Sequence, residues 1–383
     1  MNAEVLSRVR RRLVDTGISP QRPALAAMVR EDSGGLAGPG QLLGLAREAE
    51  WELSGAGPLE PLLRAAETTD VLVNAPDSVW VDQGAGLRPV PLRFPDEAAV
   101  RGLAQRLAAL AGRRLDDAAP WVDAALPDGT RLHAVLPPVA VGGTCLSLRT
   151  FRARGFTVAE LDRAGTLPRG AAGLVEQVVR ARAAFLVSGG TGSGKTTLLG
   201  AMLGLVEPSE RLVLVEDATE LRTAHPHVVR LAARPPNVEG AGEVSLRDLV
   251  RQALRMRPDR LVVGEVRGAE VVELLTALNT GHAGSAGTLH ANSARELPAR
   301  LEALGALGQL ERHAVHSQVA AALQVALHLA RFPDGRRVLA EVAVFRGDGD
   351  RVHVLPAWRH DEGAIDGWPH LAGLLNLHPR REP

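Results

Sequence analysis

Residues 189–196 read Gly-Gly-Thr-Gly-Ser-Gly-Lys-Thr, and Lys195 is the only lysine in a chain of 383 residues whose lysines and arginines total 44. The stretch fits the pattern G-x-x-x-x-G-K-[ST], with an apolar run "AAFLVS" before it and a helical run "TTLLGAMLGLV" after it. Strand, glycine loop and helix form the setting in which main-chain N–H groups converge on phosphate oxygens and the helix dipole adds positive potential. An ammonium is a compact charge that enters a ring of amides; a planar guanidinium with its fixed fork does not. Arginine therefore serves at every other basic position but not at this one. The pattern assigns Gly189, Gly190, Thr191, Gly192, Ser193, Gly194, Lys195, Thr196 and Thr197 to phosphate binding. Lys195 is expected on the β- and γ-phosphates of ATP, and the Thr196 hydroxyl on Mg2+.

Carboxylates follow at the ends of two apolar runs. "RLVLVEDATEL" delivers Glu216, Asp217 and Glu220, and "RPDRLVVGEVRG" delivers Glu265. In open α/β sheets ligands bind at the carboxyl edge, where these strands would end. Acids there either hold Mg2+ or orient the attacking water, and the alternative for each is to cap a helix or pair with an arginine. Glu216 and Asp217 are the metal candidates, and either Glu265 or Glu220 orients the water. An Asp on Mg2+ would be usual one residue before Glu265, but that residue is Gly264. His290, at the end of a further strand, is placed to donate to the γ-phosphate, while His282 has an equal claim to a structural role. No histidine or cysteine spacing supports a zinc site.

The helix "SLRDLVRQALRM" turns Leu246, Leu249, Val250, Ala253 and Leu254 to one face. Arg247, Arg251 and Arg255 lie four apart on another. Like charges at that spacing repel, so a polyanion or an acidic partner surface is expected to neutralise them.

The elements that must position these groups are legible as a change of rhythm. Residues 1–30 read as helical, with Val5, Leu6, Val9 and Leu13 on one face; residues 31–41, rich in Gly and Pro, read as a linker to a second helix ending at Gly55. Residues 55–152 read as a small α+β domain, with hairpins at "VLVNAPDSVWVD" and "WVDAALPDGTRLHAVL", a helix capped by Asp96, and a strand at "TCLSLRTF". Residues 153–165 read as an interdomain connection. From 166 to 360 strands near 184–188, 211–216, 260–264 and 286–290 alternate with helices, the signature of a parallel sheet. "LHLARFPDGRRVLAEVAVF" then turns back as a hairpin. Residues 361–383 carry no pattern and are expected to be a tail.

Composition narrows the function. Hydrophobic residues make up 45%, aromatics 3%, and the formal net charge is zero, so no global field draws the chain to nucleic acid or anionic lipid. Cys145 is alone, which excludes an intrachain disulfide and fits a reducing compartment. No signal sequence and no apolar run of about 20 residues is present, so a cytoplasmic protein without a transmembrane segment is expected.

From "GAGPLEPLL" to "AEVAVF" the chain resembles the type II/type IV secretion ATPase superfamily, in particular the tight-adherence (Flp) pilus assembly and conjugal-transfer ATPases. "GGTGSGKTT" matches its Walker A, "VEDATEL" its Asp box, "LRMRPDRLVVGEVRG" its degenerate Walker B, in which a glycine before the glutamate is normal, and "TGHAGSAGTLHANS" its His box. The resemblance implies an α/β, RecA-like P-loop motor behind a smaller PAS-like N-terminal domain and a helical extension. It further implies a hexameric ring at the cytoplasmic face of the inner membrane, working on a membrane platform protein, with ATP in a cleft between the domains. Arg131 and Arg149 match the N-domain arginines that reach the phosphates, Arg113 and Arg114 being further candidates, and Arg251 and Arg255 match the motor-domain arginines. "VDAALPDG" departs from the family's "VDARLPDG": Ala125 stands where an arginine is usual, so one phosphate or interface arginine is missing. Two other readings stay open: a RecA-like nucleic-acid translocase, which would need a basic track with aromatic platforms, and a nucleotide-binding scaffold with little turnover.

Overall fold

Alternating buried and exposed residues build one sheet of this protein, and unbroken apolar runs build most of the other. A computed structural model describes residues 8, 11–12, 22–32, 38–84, 86–150, 155–234, 236 and 240–377. The chain divides into two compact units, Met1–Phe151 and Arg152–Pro383.

The first unit carries strands β1 (Asp70–Ala75), β2 (Ser78–Asp82), β3 (Leu87–Val90), β4 (Trp121–Ala125), β5 (Arg131–Val135) and β6 (Cys145–Arg149). They form one antiparallel sheet in the order β3-β2-β1-β6-β5-β4, with β1–β2 and β4–β5 as the two expected hairpins. Every second residue turns inward, so Leu132, Ala134, Leu146 and Leu148 are buried. They share a core with Val100, Leu103 and Leu107 of the helix Glu97–Leu110. Asp96 starts that helix by accepting a hydrogen bond from the Ala99 N–H at 2.8 Å. Helices Arg22–Asp32 and Pro39–Ser54 pack on each other through Leu25, Val29 and Ala46. Residues 39–41, expected in the linker, are thus the first turn of a helix, where Pro39 costs no hydrogen bond. Val5, Leu6, Val9 and Leu13 lie outside the described residues.

The second unit carries β7 (Phe185–Gly189), β8 (Leu212–Glu216), β9 (Val228–Ala232), β10 (Arg260–Val266), β11 (Ala286–His290), β12 (Val325–Arg331), β13 (Arg337–Asp348), β14 (Arg351–Arg359) and β15 (Gly363–Ala364). Their order is β15-β14-β13-β12-β7-β11-β10-β8-β9, parallel from β12 to β9 and antiparallel from β12 to β15. All of β7 and β8 is buried. Both faces of a parallel sheet are covered, so its strands cannot alternate. Phe185 and Val187 meet helices Ala171–Arg180 and Lys195–Leu203 on one face; Leu186 meets helices Leu246–Ala253 and Glu270–Asn279 on the other.

The expected interdomain connection and the expected tail each contain a packed helix. Within 153–165, Thr157 caps a helix Val158–Arg163 whose Val158 and Leu161 enter the core of the second unit. Within 361–383, helix Trp368–Leu374 packs Leu371, with Leu375 just beyond it, into that same core. Each carries only two or three apolar residues, too few for periodicity to register.

Candidate nucleotide site

β7 hands over to the helix Lys195–Leu203 through the glycine loop. Gly189 leaves the sheet where a Cβ would fall 2.4 Å from the Leu329 carbonyl oxygen and 2.6 Å from Ser193 Oγ, so no other residue fits. Gly194, in the left-handed region, caps the helix that Lys195 begins. Lys195 curls back over the loop, its Nζ donating to the carbonyls of Gly189 at 3.1 Å and Gly190 at 3.0 Å. Burial lowers its pKa, and the charge of Glu265 pulls the other way. Ser193 is buried, yet its hydroxyl has no hydrogen-bond partner. A buried, unpartnered hydroxyl beside a lysine held by two carbonyls, at the N-terminus of a helix, fits the phosphate chain of a nucleotide. Thr196 is half-buried in the first turn, while Thr191 and Thr197 are exposed.

The carboxyl edge brings most of the expected groups to this loop. His290 is paired in register with Gly189, and its ring makes no hydrogen bond among the described residues. Glu265 is exposed at the carboxyl end of β10 and makes no ion pair among the described residues. Glu216 is buried at the end of β8, its Oε1 accepting from the N–H groups of Glu220 at 2.9 Å and Leu221 at 2.7 Å, while Oε2 has no partner. Burial raises the pKa of Glu216 and also that of Asp217, which is held by Arg267 at 2.6 Å. Among the described residues, no group of three or more His, Cys, Asp or Glu side chains is arranged to hold a metal ion.

The arginine row does not await an outside anion. Arg247 Nε and Arg251 Nη2 both reach Glu273 Oε1, at 2.6 and 2.8 Å, from the neighbouring helix Glu270–Asn279. Arg255, one turn on, is exposed. Sequence spacing sees acids along one helix and misses one supplied by another. His282 accepts or donates nowhere near the loop: its Nδ1 meets the Ala277 carbonyl at 3.1 Å and closes that same helix. In the first unit, Arg131 pairs with Asp123 at 2.8 Å and Arg149 with Asp70 at 2.9 Å. The two arginines sit directly opposite one another on β5 and β6, and Ala125 is the β4 partner of Arg131. Arg114 pairs with Asp116.

Other groups at the loop escaped the sequence. Ser188, just before Gly189, meets His328 Nδ1 of β12 at 3.0 Å, both side chains being buried. Burial lowers the pKa of His328, against the charges of Glu341 and Glu296 and a hydrogen bond to the main chain of Asn292 in the His-box segment. Arg337 Nε donates to the Gly192 carbonyl at 2.8 Å. The β12–β13 hairpin was legible; its pairing beside β7 was not.

A family model described as "Type II/IV secretion system protein" matches residues 52–348. The chain belongs to the type II/IV secretion ATPase family. The chain is 62% identical over 344 residues to a Mycobacterium tuberculosis protein named for conjugal transfer, covering 88% of this chain and 98% of that one. It is 33% identical over 259 residues to the type IV secretion system protein PtlH of Bordetella pertussis, covering 62% and 76%. The solved pilus retraction motor PilT with bound ADP superposes with a TM-score of 0.53 at 24% identity, covering 78% of this chain and 83% of PilT. The ATPase DotB of Yersinia pseudotuberculosis gives 0.54 at 17%, covering 86% and 94%. These two likenesses carry the fold alone: a RecA-like domain preceded in the chain by an N-terminal domain.

Proposed function

We propose that this secretion ATPase binds ATP with Mg2+ at the 189–197 loop and hydrolyses it, as the motor of a pilus-assembly, protein-export or conjugal-transfer system. The observation that carries the reading is the loop itself: Lys195 poised on two loop carbonyls beside the buried, unpartnered hydroxyl of Ser193. Phosphoryl transfer to water depends on positioning and charge neutralisation more than on covalent chemistry. Lys195 would exchange its carbonyl partners for β- and γ-phosphate oxygens, and the His290 ring would donate to the γ-phosphate. Thr196 would hold Mg2+, which would supply further charge neutralisation, with Glu216 and Asp217 acting from outside its ligand shell: Glu216 Oε1 is held by two main-chain N–H groups and Asp217 Oδ2 by Arg267. Glu265 is favoured over Glu220 to orient the water, since its carboxylate is exposed and acts on Lys195.

Arg131, Arg149 and Arg255 are proposed to add positive charge when subunits or domains close, each N-domain arginine leaving its aspartate to do so. Such fingers are worth about 10³–10⁵ in rate. Arg251 contributes through its position beside Glu273. The working form is a hexameric ring at the cytoplasmic face of the inner membrane, attached through a platform protein; no helix among the described residues is long and apolar enough to cross a membrane.

The deciding experiment compares ATP binding and turnover in the wild type, Lys195→Ala and Glu265→Gln. Loss of binding in the first, and retained binding with at least about 100-fold slower turnover in the second, is expected. Unchanged ATP affinity in Lys195→Ala overturns the reading.

A further inference from the structure

The hairpin joining β12 to β13 leans two arginines on the phosphate loop, and among the described residues neither makes an ion pair. β12 runs parallel to β7 with Leu329 opposite Gly189, so Arg331, two residues on, stands level with the start of the loop. The chain turns through Pro333-Asp334-Gly335 and returns with Arg337 paired to Arg331. Arg337 fastens the hairpin to the loop through its 2.8 Å bond to the Gly192 carbonyl. Arg331 Nη1 then lies 3.4 Å from where a Cβ on Gly192 would stand. Arg336 has its own acid, Asp334, at 2.6 Å. Among the described residues neither Arg331 nor Arg337 makes an ion pair, and Arg331 makes no hydrogen bond.

Like charges on directly paired strand positions repel. Here Arg331, Arg337 and Lys195 gather at one loop, and the charge of Glu265 acts on Lys195. The arrangement is unbalanced until an anion enters. We infer that Arg331 is a phosphate ligand of the bound nucleotide, supplied by the same chain as the loop, with the Arg337–Gly192 bond holding it at contact distance. A planar guanidinium fork meets two oxygens of one phosphate in a fixed bidentate geometry, which the compact, rotatable ammonium of Lys195 does not offer. The ligand is a nucleoside di- or triphosphate, and this inference rests on the proposal that nucleotide occupies the loop.

The test titrates the full chain with ADP, at low and at high salt, in the wild type, Arg331→Ala, Arg331→Lys and Lys195→Ala, with thermal unfolding alongside. Arg331 is exposed, so Arg331→Ala is expected to keep the wild-type Tm while binding ADP about 10- to 100-fold more weakly at low salt. The deficit shrinks at high salt, and Arg331→Lys recovers part of it. Should Arg331→Ala fold poorly, Arg331→Gln is read in the same way. ADP affinity within about twofold of wild type in Arg331→Ala, with binding lost in Lys195→Ala, overturns this inference and leaves the loop proposal standing. Normal ADP binding in Lys195→Ala overturns both.

Discussion

No side chain fits at position 264, because a Cβ on Gly264 would lie 2.7 Å from Cγ of Glu216. β8 and β10 are adjacent, with Val215 paired to Val263, so the next residue of each strand meets the other. Glu216 is buried there, tied to the turn that follows it through Glu220 and Leu221. The missing aspartate before Glu265 is thus a matter of volume: the acid at this point of the sheet comes from the neighbouring strand.

Gly264→Ala should cost about 1–3 kcal/mol through overpacking. Truncating Glu216 to Ala empties the space the new methyl needs, so the double variant should be more stable than the two single costs predict, by at least about 0.5 kcal/mol. Urea unfolding of the four proteins measures this. Strict additivity would show that the two side chains do not share that volume.

The buried carboxyls give a pH signature. Burial raises the folded pKa of Glu216 and, against Arg267, that of Asp217. A raised folded pKa stabilises the fold fully below the unfolded carboxylate value and loses that stabilisation as pH climbs through the folded one. Glu216→Gln keeps an acceptor for the two N–H groups but cannot ionise. The variant's stability relative to wild type should therefore rise with pH from about 4 and then level off. Parallel unfolding curves over that range would mean that Glu216 does not titrate with a shifted pKa.

Glu273 holds two arginines by one oxygen. Removing its charge in Glu273→Gln leaves Arg247 and Arg251 side by side on one helix. Both arginines are partly exposed, so the loss should be only about 1 kcal/mol at low ionic strength and should shrink as salt screens the repulsion. A salt-independent loss would point to packing instead.

Lys195→Arg is the sharper test of the opening observation. The charge is kept, but the wider, planar head must enter a loop whose carbonyls now meet one nitrogen at 3.0–3.1 Å. ADP affinity should fall at least about tenfold with little change in Tm. An arginine variant that binds as tightly as wild type would show that shape does not select lysine here.

The sequence by itself determined the chemistry and the register of each local unit. A lone lysine in a glycine loop between apolar strand and helix, the Asp96 cap, and Pro-Asp-Gly turns between alternating strands are all short-range features whose physics lies within a few residues. Tertiary structure alone decided which distant charges meet. Glu273 stands 22 residues beyond Arg251, Asp70 is 79 residues before Arg149, and Arg337 reaches Gly192 across 145. Spacing along the chain carries no record of strand order, and strand order sets these encounters. That is why the loop was legible while the neighbours of its ammonium, and the glutamate filling the place of an aspartate, were not.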